Sequence, residues 1–80
     1  MTHAEIHQGL TTVFRDVFDN PKLEIPEATT AQDVEAWDSI MHVNLIVAVE
    51  QAFGVSFTTK EVKALANVGD FIKLIGRHAK

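Results

Sequence analysis

A hydroxyl set directly after a carboxylate, Asp38-Ser39, is where this chain offers chemistry, with His42 one helical turn further on. Aspartate is a strong N-cap, because its carboxylate accepts from the free backbone N–H groups of a first turn. Ser39 then falls at the first helical position. There its hydroxyl sits at the positive end of the helix dipole and faces solvent. A hydroxyl held in this way can be reached by another protein and can receive a transferred group. The same pair is also ordinary capping chemistry, so the rest of the chain must decide between the two. His42 neighbours Ser39 on the helix surface and leans toward the core side, which equally suits a rim histidine with a half-packed ring.

Other chemistries find little support. No nucleophile, histidine and acid can be assembled into a catalytic set from the spacing, and 80 residues leave little room for an enzyme cleft. The chain reads as non-catalytic. His3 and His7 lie four apart, but two ligands near a chain end do not make a metal site, and no metal is expected. There is no cysteine. That removes disulfides, thiolate metal sites and a protein-borne thiol; any thioester chemistry needs a sulfur on an added group.

Charge is distributed unevenly. From Leu23 to Thr59 the chain has six acids (Glu24, Glu27, Asp33, Glu35, Asp38, Glu50) and no Lys or Arg, while the remainder has seven bases against five acids. Such a field attracts basic protein surfaces and repels nucleic acid. No apolar run is long enough to cross a membrane, and the N-terminal residues are polar. The expectation is one domain spanning 1–80, free-standing, monomeric and cytoplasmic.

The elements that must position Ser39 follow from periodicity. Thr2-His3-Ala4-Glu5 forms a capping box for a helix running to Phe18, with Ile6, Leu10, Val13, Phe14, Val17 and Phe18 as its core stripe. Asn20-Pro21 ends it. A long connection follows, pinned by Leu23, Ile25, Val34 and Trp37, with Trp37 as a packing anchor. The second helix runs from Ser39 to Phe53 and closes at Gly54. Leu45, Ile46, Val49 and Phe53 share its core face. Ile40, Val43 and Val47 form a second apolar stripe, which either packs beneath another segment or serves as a docking surface; docking is the reading preferred here. Thr58-Thr59-Lys60-Glu61 opens a short third helix carrying Val62 and Leu65. Asn67 caps a last helix buried through Val68, Phe71, Ile72 and Ile75, with Arg77, His78 and Lys80 at its basic end. The fold expected is all-α: a small antiparallel four-helix bundle of three main helices and one short one.

In this order of elements the sequence resembles the acyl carrier proteins of fatty acid and polyketide synthesis. The likeness runs from Asp38-Ser39-Ile40 to Ile75 through Val43, Leu45, Ala48, Glu50, Phe53 and Val68. It implies that a phosphopantetheinyl transferase joins the arm of coenzyme A to Ser39, giving covalent 4'-phosphopantetheine whose thiol holds acyl groups as thioesters. Asp38 is then both N-cap and part of what the transferase recognises. Acyl-loading and acyl-transferring enzymes with basic surfaces would dock on Ile40, Met41, Val43, Asn44, Val47, Glu35 and Glu50. His42 would stand at the mouth of a cargo pocket. The familiar carriers have acids where this chain has Met41 and Asn44, and a small polar residue at His42. A specialised carrier with dedicated partners is expected, holding an unusual or polar acyl unit. An aminoacyl or peptidyl carrier, or an unmodified helical adaptor of the same fold, are the alternatives.

Overall fold

The computed structural model describes residues 2–34 and 37–79. Glu35, expected at the docking surface, and Lys80, expected at the basic tail, lie outside the described residues. Four helices make up the regular structure of the described residues: α1 (His3–Val17), α2 (Ser39–Phe53), α3 (Thr59–Lys63) and α4 (Val68–His78). No strand is present among the described residues. The expected all-α bundle of three main helices and one short one is what is found, with α1 packed against both α2 and α4.

Each helix starts on the residue that the sequence assigns to it. Thr2 accepts from the Glu5 N–H while Glu5 accepts from the Thr2 N–H, and Thr58 and Glu61 repeat the arrangement. Asn67 accepts from the Asp70 N–H at 2.9 Å. These bonds satisfy helix-start donors that have no intrahelical partner.

α1 ends where expected, with Phe18 as its C-cap, but by a different stop, and α3 ends earlier than expected. α1 stops before Pro21 is reached. Asp19 adopts a left-handed φ of 51°, and Asn20 N–H bonds the Arg15 carbonyl at 2.9 Å. A Schellman turn therefore ends the helix, and the proline only follows it. α3 stops at Lys63, short of Leu65. Asp70 takes the Ala66 N–H at 3.0 Å, which turns the chain into α4 early. Leu65 still packs against the core from that turn.

The core is built from Ile6, Leu10 and Phe14 of α1, Leu45 and Val49 of α2, and Val68, Phe71, Ile72 and Ile75 of α4. α1 and α2 approach closely at Gly9, where an added Cβ would lie 2.9 Å from the Phe53 ring. Gly54 closes α2 at φ 66°, a conformation that L side chains rarely adopt. Under the start of α2 the core is aromatic. Phe14 meets Trp37 edge-on at 5.2 Å, Phe71 edge-on at 6.1 Å and Phe18 at 5.7 Å.

The long connection is pinned by the residues expected, since Ile25, Val34 and Trp37 are buried and Leu23 is half-buried. It is also latched through its backbone, on alternate residues. Arg15 Nε donates to the Leu23 carbonyl at 2.8 Å, and His7 Nε2 lies 2.7 Å from the Ile25 carbonyl, as donor. The Glu27 and Thr29 carbonyls accept from the Gly69 and Val68 N–H groups at 2.8 and 2.9 Å. One segment, with a turn at Pro26–Thr29, thus caps the start of α4 while hanging from the side of α1.

Both capping-box glutamates titrate low. The Thr2 N–H holds the Glu5 carboxyl below its ordinary value, and the Thr58 N–H, then His78, do the same for Glu61. The folded state therefore binds these protons less readily than the unfolded chain. Their stabilisation is full above the ordinary carboxylate range and disappears as pH falls through the lowered values. Thermal midpoints measured against pH should drop across that acid window, and drop less in Glu5→Gln/Glu61→Gln. An equal drop in that variant would contradict the assignment.

Candidate functional site

Asp38 has extended backbone geometry and its carboxylate accepts from the Met41 N–H at 2.8 Å. Its carbonyl accepts from the His42 N–H at 2.8 Å. Those two bonds start α2 on Ser39. The N–H groups of Ser39 and Ile40 lie in the first turn, where an α-helix supplies no carbonyl for them. Ser39 is exposed. Its hydroxyl therefore stands on a firm helix start, beside two donors with no partner among the described residues and the positive end of a 15-residue helix. This is a good seat for an anionic ester group.

The chain holds two serines. The other, Ser56, is also exposed but lies in the irregular connector between α2 and α3, with no helix start beneath it. Exposure alone does not separate the two; the capped helix start does.

Next to Ser39 the surface opens into a hollow of about 410 Å³, lined by Ala31, Trp37, Asp38, Ser39, His42, Leu65 and Ala66. His42 is half-buried, as a rim histidine, and lies on the wall of this hollow. Sequence reasoning missed its partner. Trp37 Nε1 donates to His42 Nδ1 at 3.0 Å, and the two rings lie side by side and near parallel, with centroids 6.0 Å apart at 20°. Phe71 meets the imidazole at 6.2 Å from a third side. The Trp37 anchor is thus packed on one face and satisfied at its nitrogen by the histidine above it. The only hint in the sequence is an aromatic residue just before a helix cap with a histidine in the first turn after it, a spacing that no periodic rule covers.

The second apolar stripe of α2 is not covered by any described segment. Ile40, Val43 and Val47 are 74%, 62% and 46% exposed. Asn44 is exposed beside them, and Met41 is half-buried with its sulfur 3.9 Å from the Asn44 side-chain nitrogen. Glu50 lies one turn past Val47, but it is also used within the fold. Its carboxylate accepts from the Phe57 N–H at 2.8 Å and anchors the connector to α3. The paired histidines near the N-terminus are separated by their partners, His3 meeting Glu27 at 3.1 Å and His7 the Ile25 carbonyl. No cluster able to hold a metal occurs among the described residues. Among the described residues, no helix is long and apolar enough to cross a membrane.

Comparison with known proteins bears on this site. Residues 8–75 match the family model described as a phosphopantetheine attachment site. Over 76 residues the chain is 34% identical to an acyl carrier protein of Thermosynechococcus vestitus, covering 94% of this chain and 93% of that one. It is equally similar to an acyl carrier protein of Acidothermus cellulolyticus, with 34% identity over 76 residues, 94% of this chain and 89% of the relative. The solution structure of the holo acyl carrier protein of Geobacter metallireducens superposes with a TM-score of 0.84 at 39% identity, over 89% of this chain and 82% of that one.

Proposed function

The chain belongs to the acyl carrier proteins, the family with a phosphopantetheine attachment site, and on that premise we propose that Ser39 is the residue that bears the arm. Acyl carrier proteins are non-catalytic. They receive 4'-phosphopantetheine from a phosphopantetheinyl transferase and serve acyl-handling enzymes. When attached, the group supplies a thiol that holds acyl chains as thioesters, which a chain without cysteine cannot otherwise do.

The observation that carries the assignment is the exposed hydroxyl at the first position of α2, capped by Asp38 and flanked by the first-turn N–H groups of Ser39 and Ile40, which have no partner among the described residues. A phosphodiester formed there leaves one negative charge, which the helix start stabilises. In the joining step the Ser39 oxygen bonds phosphorus, its proton leaves, and the nucleotide half of coenzyme A departs. Residues 1–80 act as one carrier domain, a reading supported by the family match from 8 to 75. Incubation with a phosphopantetheinyl transferase and coenzyme A should add the mass of a single arm. Addition of none, with transferases of both narrow and broad acceptance, would contradict the proposal.

Partner enzymes meet the exposed face of Ile40, Val43 and Val47, bordered by Met41 and Asn44. Asp33, Glu35, Asp38 and Glu50 steer basic surfaces toward it. Steering with a modest apolar contact suits docking that must form and release quickly. Burying a side chain such as valine contributes about 1.5–3 kcal/mol. Val43→Asp should therefore lower kcat/KM for arm transfer by roughly tenfold or more while leaving the melting midpoint in place. Unchanged transfer kinetics would remove Val43 from the docking face.

Met41, His42 and Asn44 make this face less acidic than is usual in carriers of fatty acid synthesis. The reading that follows is a specialised carrier with dedicated partners. Elongation enzymes of a general fatty acid synthase should accept its acyl form poorly, and acceptance equal to that of their own carrier would overturn the reading.

A further inference from the structure

We propose that His42, locked in one tautomer by Trp37, selects acyl groups that carry a neutral oxygen, such as a hydroxyl or a ketone, by donating a hydrogen bond to that oxygen in the hollow beside Ser39. The inference rests on Ser39 as the attachment site and adds the chemical class of the cargo.

The tautomer follows from chemistry. An indole N–H only donates, so the 3.0 Å bond from Trp37 Nε1 makes His42 Nδ1 an acceptor. The ring proton of the neutral imidazole is then on Nε2. The bond from Trp37 and the edge contact with Phe71 hold the ring in place. Nε2 has no partner among the described residues, and no side-chain nitrogen or oxygen there is both buried and unpartnered. The Nε2–H therefore reaches open space, and His42 shares the wall of the 410 Å³ hollow with Ser39.

The other walls decide what that donor would meet. Ala31, Leu65, Ala66 and the Trp37 ring are apolar and suit an acyl chain. Asp38 is the charged group on the wall, within a span of six acids and no Lys or Arg. A carboxylate on the cargo would be repelled there, whereas a neutral hydroxyl or keto oxygen would not. A wholly apolar chain would leave the donor facing hydrocarbon without a partner.

The ring nitrogens of His42 can be followed by ¹⁵N NMR in the apo protein, the arm-bearing protein, and protein loaded with butanoyl, 3-hydroxybutanoyl or succinyl groups, each checked by intact mass. The apo protein should show the Nε2–H form. The Nε2 signal should move with the 3-hydroxybutanoyl cargo and stay in place with the other two and with the arm alone. Relative to the same thioesters on free pantetheine, hydroxylamine should cleave the hydroxyacyl form about threefold to tenfold more slowly than the butanoyl form. His42→Phe should abolish that difference and His42→Gln should recover part of it. Trp37→Phe, which keeps a ring but loses the donor, should mix the tautomers. An Nδ1–H form in the apo protein, a response to the arm alone, or equal protection of all cargoes overturns the inference and leaves Ser39 untouched. Absence of any arm overturns both.

Discussion

Ser39→Ala should accept no arm at all and yet melt within about 0.5 kcal/mol of the parent protein. The two halves of this result have separate causes. Ser39 is exposed at the first position of α2, and the bonds that start the helix come from Asp38, to the Met41 and His42 N–H groups. Alanine suits a helix interior and removes no buried surface. The hydroxyl, by contrast, is the atom that must bond phosphorus, and methyl has nothing to replace it. Intact mass after incubation with transferase and coenzyme A reads the first half, and a thermal melt reads the second. Arm uptake by the variant would move the attachment elsewhere. A large loss of stability would mean that the hydroxyl is part of the fold.

Phe14→Ala should cost about 3–5 kcal/mol, enough to unfold much of so small a domain at ordinary temperature. Phe14 is fully buried. It is the ring on which Phe18, Trp37 and Phe71 converge, at 5.7, 5.2 and 6.1 Å. Those partners come from the end of α1, the long connection and α4, so the cavity would open where three parts of the chain meet. Its consequences extend to function, because Trp37 rests on Phe14 and His42 rests on Trp37. Chemical denaturation followed by circular dichroism gives the free energy directly. A loss below about 1 kcal/mol would mean that the neighbours collapse into the space, and that the aromatic cluster is not what sets the mouth of the hollow.

What could be read from the sequence was local. Thr2, Asp38, Thr58 and Asn67 each cap a helix through a bond reaching three residues ahead, and such bonds depend on residue type and spacing alone. The core stripes of α1, α2 and α4 follow from helical periodicity for the same reason. The stripe of Ile40, Val43 and Val47 was equally legible, although only the structure leaves it uncovered. What escaped the sequence joins positions that no local rule connects. His7 reaches a carbonyl 18 residues on, and Arg15 one eight residues on. The Glu50 carboxylate ties down Phe57 across the turn at Gly54. The bond from Trp37 to His42 spans a helix start, where the chain changes direction, so its geometry depends on Asp38 and on the Phe14 and Phe71 rings below. The end of α1 at a left-handed Asp19 was hidden by the more conspicuous Pro21.

Fragmentation mass spectrometry of the protein purified from its own cells tests the central claim most directly, because it locates the arm without assuming a transferase. The chain offers two serines for comparison. The mass of 4'-phosphopantetheine is expected on Ser39, with Ser56 unmodified. An arm on Ser56 or on a threonine, or material that never carries one, would contradict it.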